Sequence, residues 1–369
     1  MLLNIIMKQQ FLLINQKTYY WVKILFLHEE IDTMIIDTEC HFYTTTYVNE
    51  LLKYPFYPHF SEGTAGGIII HFYEGLTLNI KHSLLEELLG VEERLKRMRD
   101  AGISIQVLTL SVPGCEPLEP SLGTRLSKMV NDELAKVIEK YPENFVGLAS
   151  LAPQDPENAK DEFERAVKDL GLRGVKLHSN IGGKYPDAPE FHYLFEMADK
   201  LGVPIYLHPT QSDIAPLKGY GYGLAGPAFG YTFDTALSAL RIIFSGVLDK
   251  YPGVKIILGH LGETLPYIIK RIDFAYKHTW HLISLPKLRK LPSEYLFTNF
   301  YFGTAGIFHQ PALKCAYETF GPDLLLFASD YPYENLEESV SFIKQSTIPP
   351  EEQEKIFHLN AEKIFNIRV

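Results

Sequence analysis

Five apolar segments of this chain each run directly into a titratable residue, and that recurrence restricts the fold more than any other feature. They are MIIDTECHF, with Glu39 and His41; GVKLHSN, with His178; PIYLHPT, with His208; KIILGHLGE, with His260 and Glu263; and LLLFASDYP, with Asp330. Successive side chains of a strand point to opposite faces, so Glu39 and His41 share one face while Cys40 takes the other. A lone Glu-x-His is an ordinary way for a strand to end at a solvated edge. The same ending repeated along the chain asks for an architecture that gathers strand ends in one place.

Between these segments the pattern changes to helix. LLEELLGVEERLKRMRDAG has apolar residues at helical spacing and stops on Gly102. A strand ISIQVLTLS follows, then a helix over Arg125 to Lys140, a strand FVGLASL, a helix PENAKDEFERAVKDLG, a strand RGVKLHS, a helix FHYLFEMADKLG and a strand PIYLHP. The second half continues with helix FDTALSALRIIFSGVLDKYP, strand VKIILGH, and helix ETLPYIIKRIDFAYK, where Leu265, Ile268, Ile269 and Ile272 share a face. LFTNFYFGT reads as a strand, QPALKCAYETFG as a helix, DLLLFAS as the last strand and EEQEKIFHLNAEKIFNI as the closing helix. Eight strands alternating with helices predict an α/β chain folded as a (β/α)8 TIM barrel, whose catalytic groups gather at the carboxyl ends of the strands. The titratable residues fall at that end of strands 1, 4, 5, 6 and 8. A doubly wound sheet would bring together only strands near its switch point.

Two stretches stand outside this alternation. Tyr43 to His82, rich in aromatics and glycine, reads as a long irregular insertion after strand 1, a lid over the mouth of a site. Its His59 and His71 read as ordinary surface or packing histidines, and its GTAGG lacks the strand and helix of a phosphate loop. Residues 1–33 read as an N-terminal extension, dispensable if translation begins at Met34, which leaves 34–369 as one barrel domain. No run of about 20 apolar residues supports a transmembrane helix, and no small-residue cleavage site follows a clean apolar core. A formal charge of -10 disfavours nucleic acid and anionic membranes as partners. Cys40, Cys115 and Cys315, three and widely spaced, suggest neither a disulfide framework nor a zinc ribbon and fit a cytoplasmic protein.

Glu39, His41, His208 and Asp330 form a candidate ligand set for one divalent metal: two imidazoles and two carboxylates suit zinc first, and manganese or iron when coordination expands. Taken singly, His208 is equally a core histidine bonded to a carbonyl, and Asp330 equally the N-cap of a helix opening at SDYPYE. His260 and Glu263, three apart, suit an imidazole oriented by a carboxylate, against the alternative that Glu263 merely favours a helix start. His178 is a candidate substrate contact, Lys176 on the same strand face reads as structural, and Arg271 as a surface ion-pair residue.

With these residues placed, the chain resembles the metal-dependent decarboxylase branch of the amidohydrolase superfamily, the group of aminocarboxymuconate semialdehyde, γ-resorcylate and 5-carboxyvanillate decarboxylases. The resemblance spans about Met34 to Ile367 and is most specific in VKIILGHLGETLPY, LPSEYLFTNFYFGTAG and LLLFASDYPYE. Most of the superfamily carries His-x-His on the first strand; Glu39-x-His41 is similar to the benzoate-type decarboxylases instead. The resemblance implies a homo-oligomer, dimer or tetramer, with Glu39, His41, His208 and Asp330 on the metal and His260 with Glu263 beside it. It implies nonoxidative decarboxylation of a hydroxylated aromatic acid, a small carboxylic acid substrate, with Asp330 as proton donor and His260 on a phenolic oxygen, or these roles exchanged. Phe42, Tyr43 and Phe229 are candidates to stack on the ring or to serve as core. The rival is a hydrolase or hydratase in which a metal-activated water attacks a lactone, amide or enol with His260 as base. A barrel kept only for binding is a third.

Overall fold

The parallel strands close into a ring because each ends where a helix turns the chain back. The computed structural model describes residues 34–211, 217, 219–282 and 286–368; the expected extension, residues 1–33, lies outside them. In chain order the strands are β1 Ile36–Phe42, β2 His59–Glu62, β3 Ile68–Tyr73, β4 Leu76–Ile80, β5 Ile105–Leu110, β6 Phe145–Gly147, β7 Val175–His178, β8 Ile205–His208, β9 Ile256–Leu258, β10 Phe300–Gly303 and β11 Leu325–Leu326. β1, β5 and β6 pair in parallel, as do β7 through β11 in succession. Two parallel bridges join these arcs, Ala149 with Val175 and Cys40 with Tyr331, so the eight strands make the expected barrel. The seam is reinforced where Thr38 N–H donates to the Phe327 carbonyl and His41 N–H to that of Tyr331.

Strands buried on both faces read as continuous apolar runs, and the three residues of β9 are all fully buried. The surrounding helices follow their expected signals. Pro120–Lys140 opens on Pro at its first turn with Glu119 accepting from Ser121 and Leu122 N–H, and Val91–Ala101 ends on left-handed Gly102. No helix among the described residues is long and apolar enough to cross a membrane.

Four details correct the sequence expectations. Tyr43 to His82 is not irregular: it holds a helix, Thr45–Lys53, and an antiparallel meander of β2, β3 and β4. His59 and His71 are cross-strand partners there, their rings stacked 4.6 Å apart, and His71 bonds Ser61. The following helix is two, His82–Leu89 and Val91–Ala101, because Gly90 is extended between them. The first half of LFTNFYFGT is the end of a helix, Pro292–Asn299, held at its start by Glu294 accepting from Leu291 N–H and Asp273 accepting from Ser293. Finally, Asp330 does not cap a helix; Asn335 does, accepting from Glu338 N–H ahead of Leu336–Lys344.

Candidate metal centre and active site

Strand parity brings Glu39, His41 and His208 to the same end of the barrel, and the turn after β11 adds Asp330. One ligand atom from each of the four lies within 4.8 Å of the others, and Glu39, His41 and His208 are buried. The closest contacts are His41 Nε2 to Asp330 Oδ1 at 2.7 Å and His41 Nε2 to His208 Nε2 at 3.3 Å. An ion bonded at about 2.1 Å to tetrahedral ligands holds them about 3.4 Å apart. The two imidazole nitrogens already stand at that spacing.

The hydrogen-bond directions agree. His208 Nδ1–H donates to the Pro209 carbonyl at 2.7 Å, which turns the Nε2 lone pair towards the cluster. Burial first, then the nearby His41 and Lys176, holds His208 well below its ordinary value, so it is a neutral imidazole. Thr109 Oγ1, 3.2 Å from His41 Nδ1, fixes that ring in the same sense and itself donates to the Cys40 carbonyl. Two imidazole lone pairs facing each other call for a cation between them. Burial pushes the Glu39 carboxyl up, and its Oε1 has no hydrogen-bond partner among the described residues; His208 Nε2 stands 3.4 Å away without hydrogen-bond geometry. A buried carboxylate oxygen left open beside two imidazoles fits a divalent ion.

Residues not singled out from sequence set this geometry. Tyr206, two before His208 on β8 and facing the same way, donates its hydroxyl to Glu39 Oε2 at 2.6 Å. Asp37 accepts from Ser329 N–H and Oγ–H and from Gln106, locking the strand that carries Glu39 to the turn that carries Asp330. Asp330 has φ +65°, a left-handed conformation unfavourable to a side chain and held here by that lock. A Cβ at Gly259, just after β9, would stand 3.2 Å from Glu39 Oε2, tight enough that a side chain there would press on the carboxylate.

His260 and Glu263 sit on a turn whose four residues, His260, Leu261, Gly262 and Glu263, all have positive φ. Three are not glycine, and such turns persist where surrounding structure holds them for function. His260 Nδ1–H donates to Glu263 Oε1 at 2.9 Å, leaving Nε2 for the cavity. Burial alone would lower His260, but Glu263, then Glu39 and Asp330, lift it to about 10.

His41, His208, His260 and Asp330 share one cavity of about 320 Å3, in the range of small-ligand sites. Leu78, Asn79 and Ile80 of β4 line it, so the insertion does cover the mouth. Ser111, Tyr222 and Tyr333 supply hydroxyls to the wall. A more open cleft of about 460 Å3 at Phe72, Asn180 and Gln211 lacks the histidines and is not the site.

Three expected substrate contacts are elsewhere. Phe42 follows His41 by one residue, so it faces outward, against Leu108 and Phe145 in the layer behind the strands. Phe229 is 49% exposed and stacks on Phe233 outside the cavity. His178 is fully buried, does not line the cavity, and lies with its ring 5.8 Å from that of His208. Lys176 Nζ donates to His178 Nε2 at 2.8 Å and to the Leu110 carbonyl, while His178 Nδ1 meets Glu116 Oε2 at 3.0 Å. Burial opposes ionisation of Glu116, yet His178 and Lys176 draw it down to about 2. Burial holds His178 below its ordinary value, so a neutral ring bridges the Lys176 cation and the Glu116 carboxylate, and the trio is support behind the metal centre. Tyr43 is core, its hydroxyl bonded to the Val112 carbonyl, and Arg271 is exposed.

An eight-stranded barrel with a one-ion ligand cluster at the carboxyl ends of its strands defines a metal-dependent barrel enzyme. Residues 118–367 match the Amidohydrolase family, and the chain belongs to it. It is 35% identical over 297 residues, 77% of this chain and 90% of the relative, to the γ-resorcylate decarboxylase of Polaromonas sp. (strain JS666). The crystal structure of 5-carboxyvanillate decarboxylase from Sphingomonas paucimobilis superposes with a TM-score of 0.82 at 30% identity, covering 91% of this chain and 100% of that one. The dihydroxybenzoic acid decarboxylase of Polaromonas sp. JS666, solved with manganese and the inhibitor 2-nitroresorcinol, gives 0.76 at 30% identity over 91% of this chain and 98% of that one.

Proposed function

We propose that this protein is a metal-dependent nonoxidative decarboxylase of a hydroxylated aromatic acid. The observation that carries the reading is the cavity in which Glu39, His41, His208 and Asp330 converge beside the His260–Glu263 pair. Its decarboxylase relatives, at 30–35% identity, support the same reaction class.

A divalent ion held by those four residues would supply Lewis-acid polarisation of the bound acid. The donor set takes zinc, the expectation from sequence, and equally manganese, the ion held by the Polaromonas neighbour. The remaining work falls to the chain. His260, fixed through Nδ1 by Glu263, offers Nε2 to a phenolic oxygen and stabilises the negative charge that gathers there. Asp330, which lines the cavity, relays a proton to the ring carbon bearing the carboxylate. The bond from that carbon to the carboxylate then breaks, its electron pair restores the aromatic ring, and carbon dioxide leaves. The balance is one proton consumed and no water. Leu78, Ile80 and Val112 shield the ring from solvent. Operation as a homo-oligomer rests on the family resemblance, and light scattering tests it.

Reaction of metal-loaded protein with a panel of hydroxybenzoates in deuterium oxide is the test. The reading expects carbon dioxide and a phenol carrying one new deuterium where the carboxylate was. Turnover that consumes water without releasing carbon dioxide would replace it with hydrolysis.

A further inference from the structure

Glu334 lies on the cavity wall with Asp330, His260 and Tyr333, yet makes no hydrogen bond or ion pair among the described residues. The other charges of the site are balanced. Glu39 and Asp330 together match one divalent ion, and Glu263 matches His260. Glu334 has no such counter-charge: burial, then Asp330 and Glu338, push its carboxyl up, and His260 alone opposes them. An unbalanced, half-buried carboxylate on the wall of a small cavity is an electrostatic statement about what the cavity accepts.

We propose that Glu334 is a charge filter that restricts this site to hydroxylated aromatic acids bearing a single carboxylate. The proposal rests on the decarboxylase reading for the kind of ligand, and the geometry supplies the discrimination. The cavity, about 320 Å3, is of the size of one small aromatic ligand. Once the reacting carboxylate is at the metal end, a second anionic substituent on the ring shares this small cavity with half-buried Glu334 and meets its charge across it. The same carboxylate oxygen accepts a hydrogen bond from a ring hydroxyl. The neighbouring wall repeats the preference, since Ser111 Oγ and the Tyr333 hydroxyl are paired at 2.6 Å, and the Tyr222 and Tyr231 hydroxyls at 2.8 Å. These groups exchange hydrogen bonds with neutral O–H substituents and carry no charge to offset an added anion.

The test uses two ligands of nearly equal shape, 4-hydroxyisophthalate and 5-carbamoyl-2-hydroxybenzoate, which differ in whether the remote group is a carboxylate or a carboxamide. Their affinities for metal-loaded protein are measured by calorimetry at fixed ionic strength. The wild type is expected to favour the carboxamide by about tenfold or more, and Glu334→Gln to bring the two within about threefold. Glu334→Ala serves the same purpose if the glutamine variant melts early. Equal affinities in the wild type, no binding of either ligand, or a preference unchanged in both variants would overturn the filter. Carbon dioxide release from the hydroxybenzoate panel separates the two claims. Release without charge discrimination sinks the filter alone, and discrimination without release sinks the decarboxylase reading alone.

Discussion

Replacing Tyr206 by phenylalanine removes one oxygen from a fully buried side chain and nothing else. That oxygen donates to Glu39 Oε2 at 2.6 Å, and Glu39 is itself fully buried, so water cannot take its place. A hydrogen bond to a charged group contributes about 1.5–3 kcal/mol. Because the bond fixes which carboxylate oxygen stays open for the ion, the loss is expected mainly in metal affinity, at about 10–100-fold. The assay is a competition titration of apo-protein against a fluorescent chelator, with zinc and with manganese, alongside thermal melting. The expected result is a variant that folds, melts somewhat earlier and binds either ion at least tenfold more weakly. Affinity within twofold of wild type for both ions would refute the assignment of Glu39 as a ligand oriented by Tyr206.

Further substitutions probe the surrounding geometry. A Cβ at Gly306 would lie 2.7 Å from His260 Cδ2, on a backbone with φ +70°, so Gly306→Ala should lower kcat about tenfold or more by displacing His260 while metal content stays at wild-type level. His260→Asn should retain the ion and lose about 10²–10³ in kcat, read by metal analysis and steady-state kinetics. Glu116 sits at about 2 against an ordinary 4.5, so its contribution is complete above pH 4.5 and drains away as pH falls towards 2, on the order of 3 kcal/mol. Glu116→Gln, which strands buried Lys176, should be less stable at pH 7 by denaturant titration and lose less than wild type between pH 5 and 2. Asn335→Ala, which removes only a helix cap, should cost about 1 kcal/mol of stability with metal content unchanged.

The strand ends were legible because parity is rigid: once β1 and β8 are strands, Glu39, His41 and His208 can face only one way. The same rule, applied to Phe42, places it outward, and proximity in sequence to His41 was the wrong guide. His178 has the correct parity, but Lys176 and Glu116 claim both of its ring nitrogens, and Glu116 arrives from the loop after β5, a contact no local pattern reveals. Phe229 belongs to a segment rich in glycine and aromatics where exposure has no sequence signature. The helix Pro292–Asn299 was missed because aromatic and β-branched residues of LFTNF suggest a strand, although Pro292 and Glu294 hold the signals of a helix start. The meander over β2 to β4 was hidden by short strands whose pairing is set by tertiary contacts. Tyr206 had a readable cue, its position two residues before His208. Asp37 stands two before Glu39, but the register of β1 shifts between Asp37 and Cys40, so parity does not carry across, and its partner Ser329 is reached only once the barrel closes.

The most direct test of the metal-dependent decarboxylase is metal content measured together with carbon dioxide release, for wild type, His208→Ala and Asp330→Ala. The account predicts one ion per wild-type chain, loss of the ion in both variants, and release from at least one hydroxybenzoate by the wild type only. Wild-type protein that takes up no ion even on reconstitution, or variants that keep both ion and turnover, would contradict it.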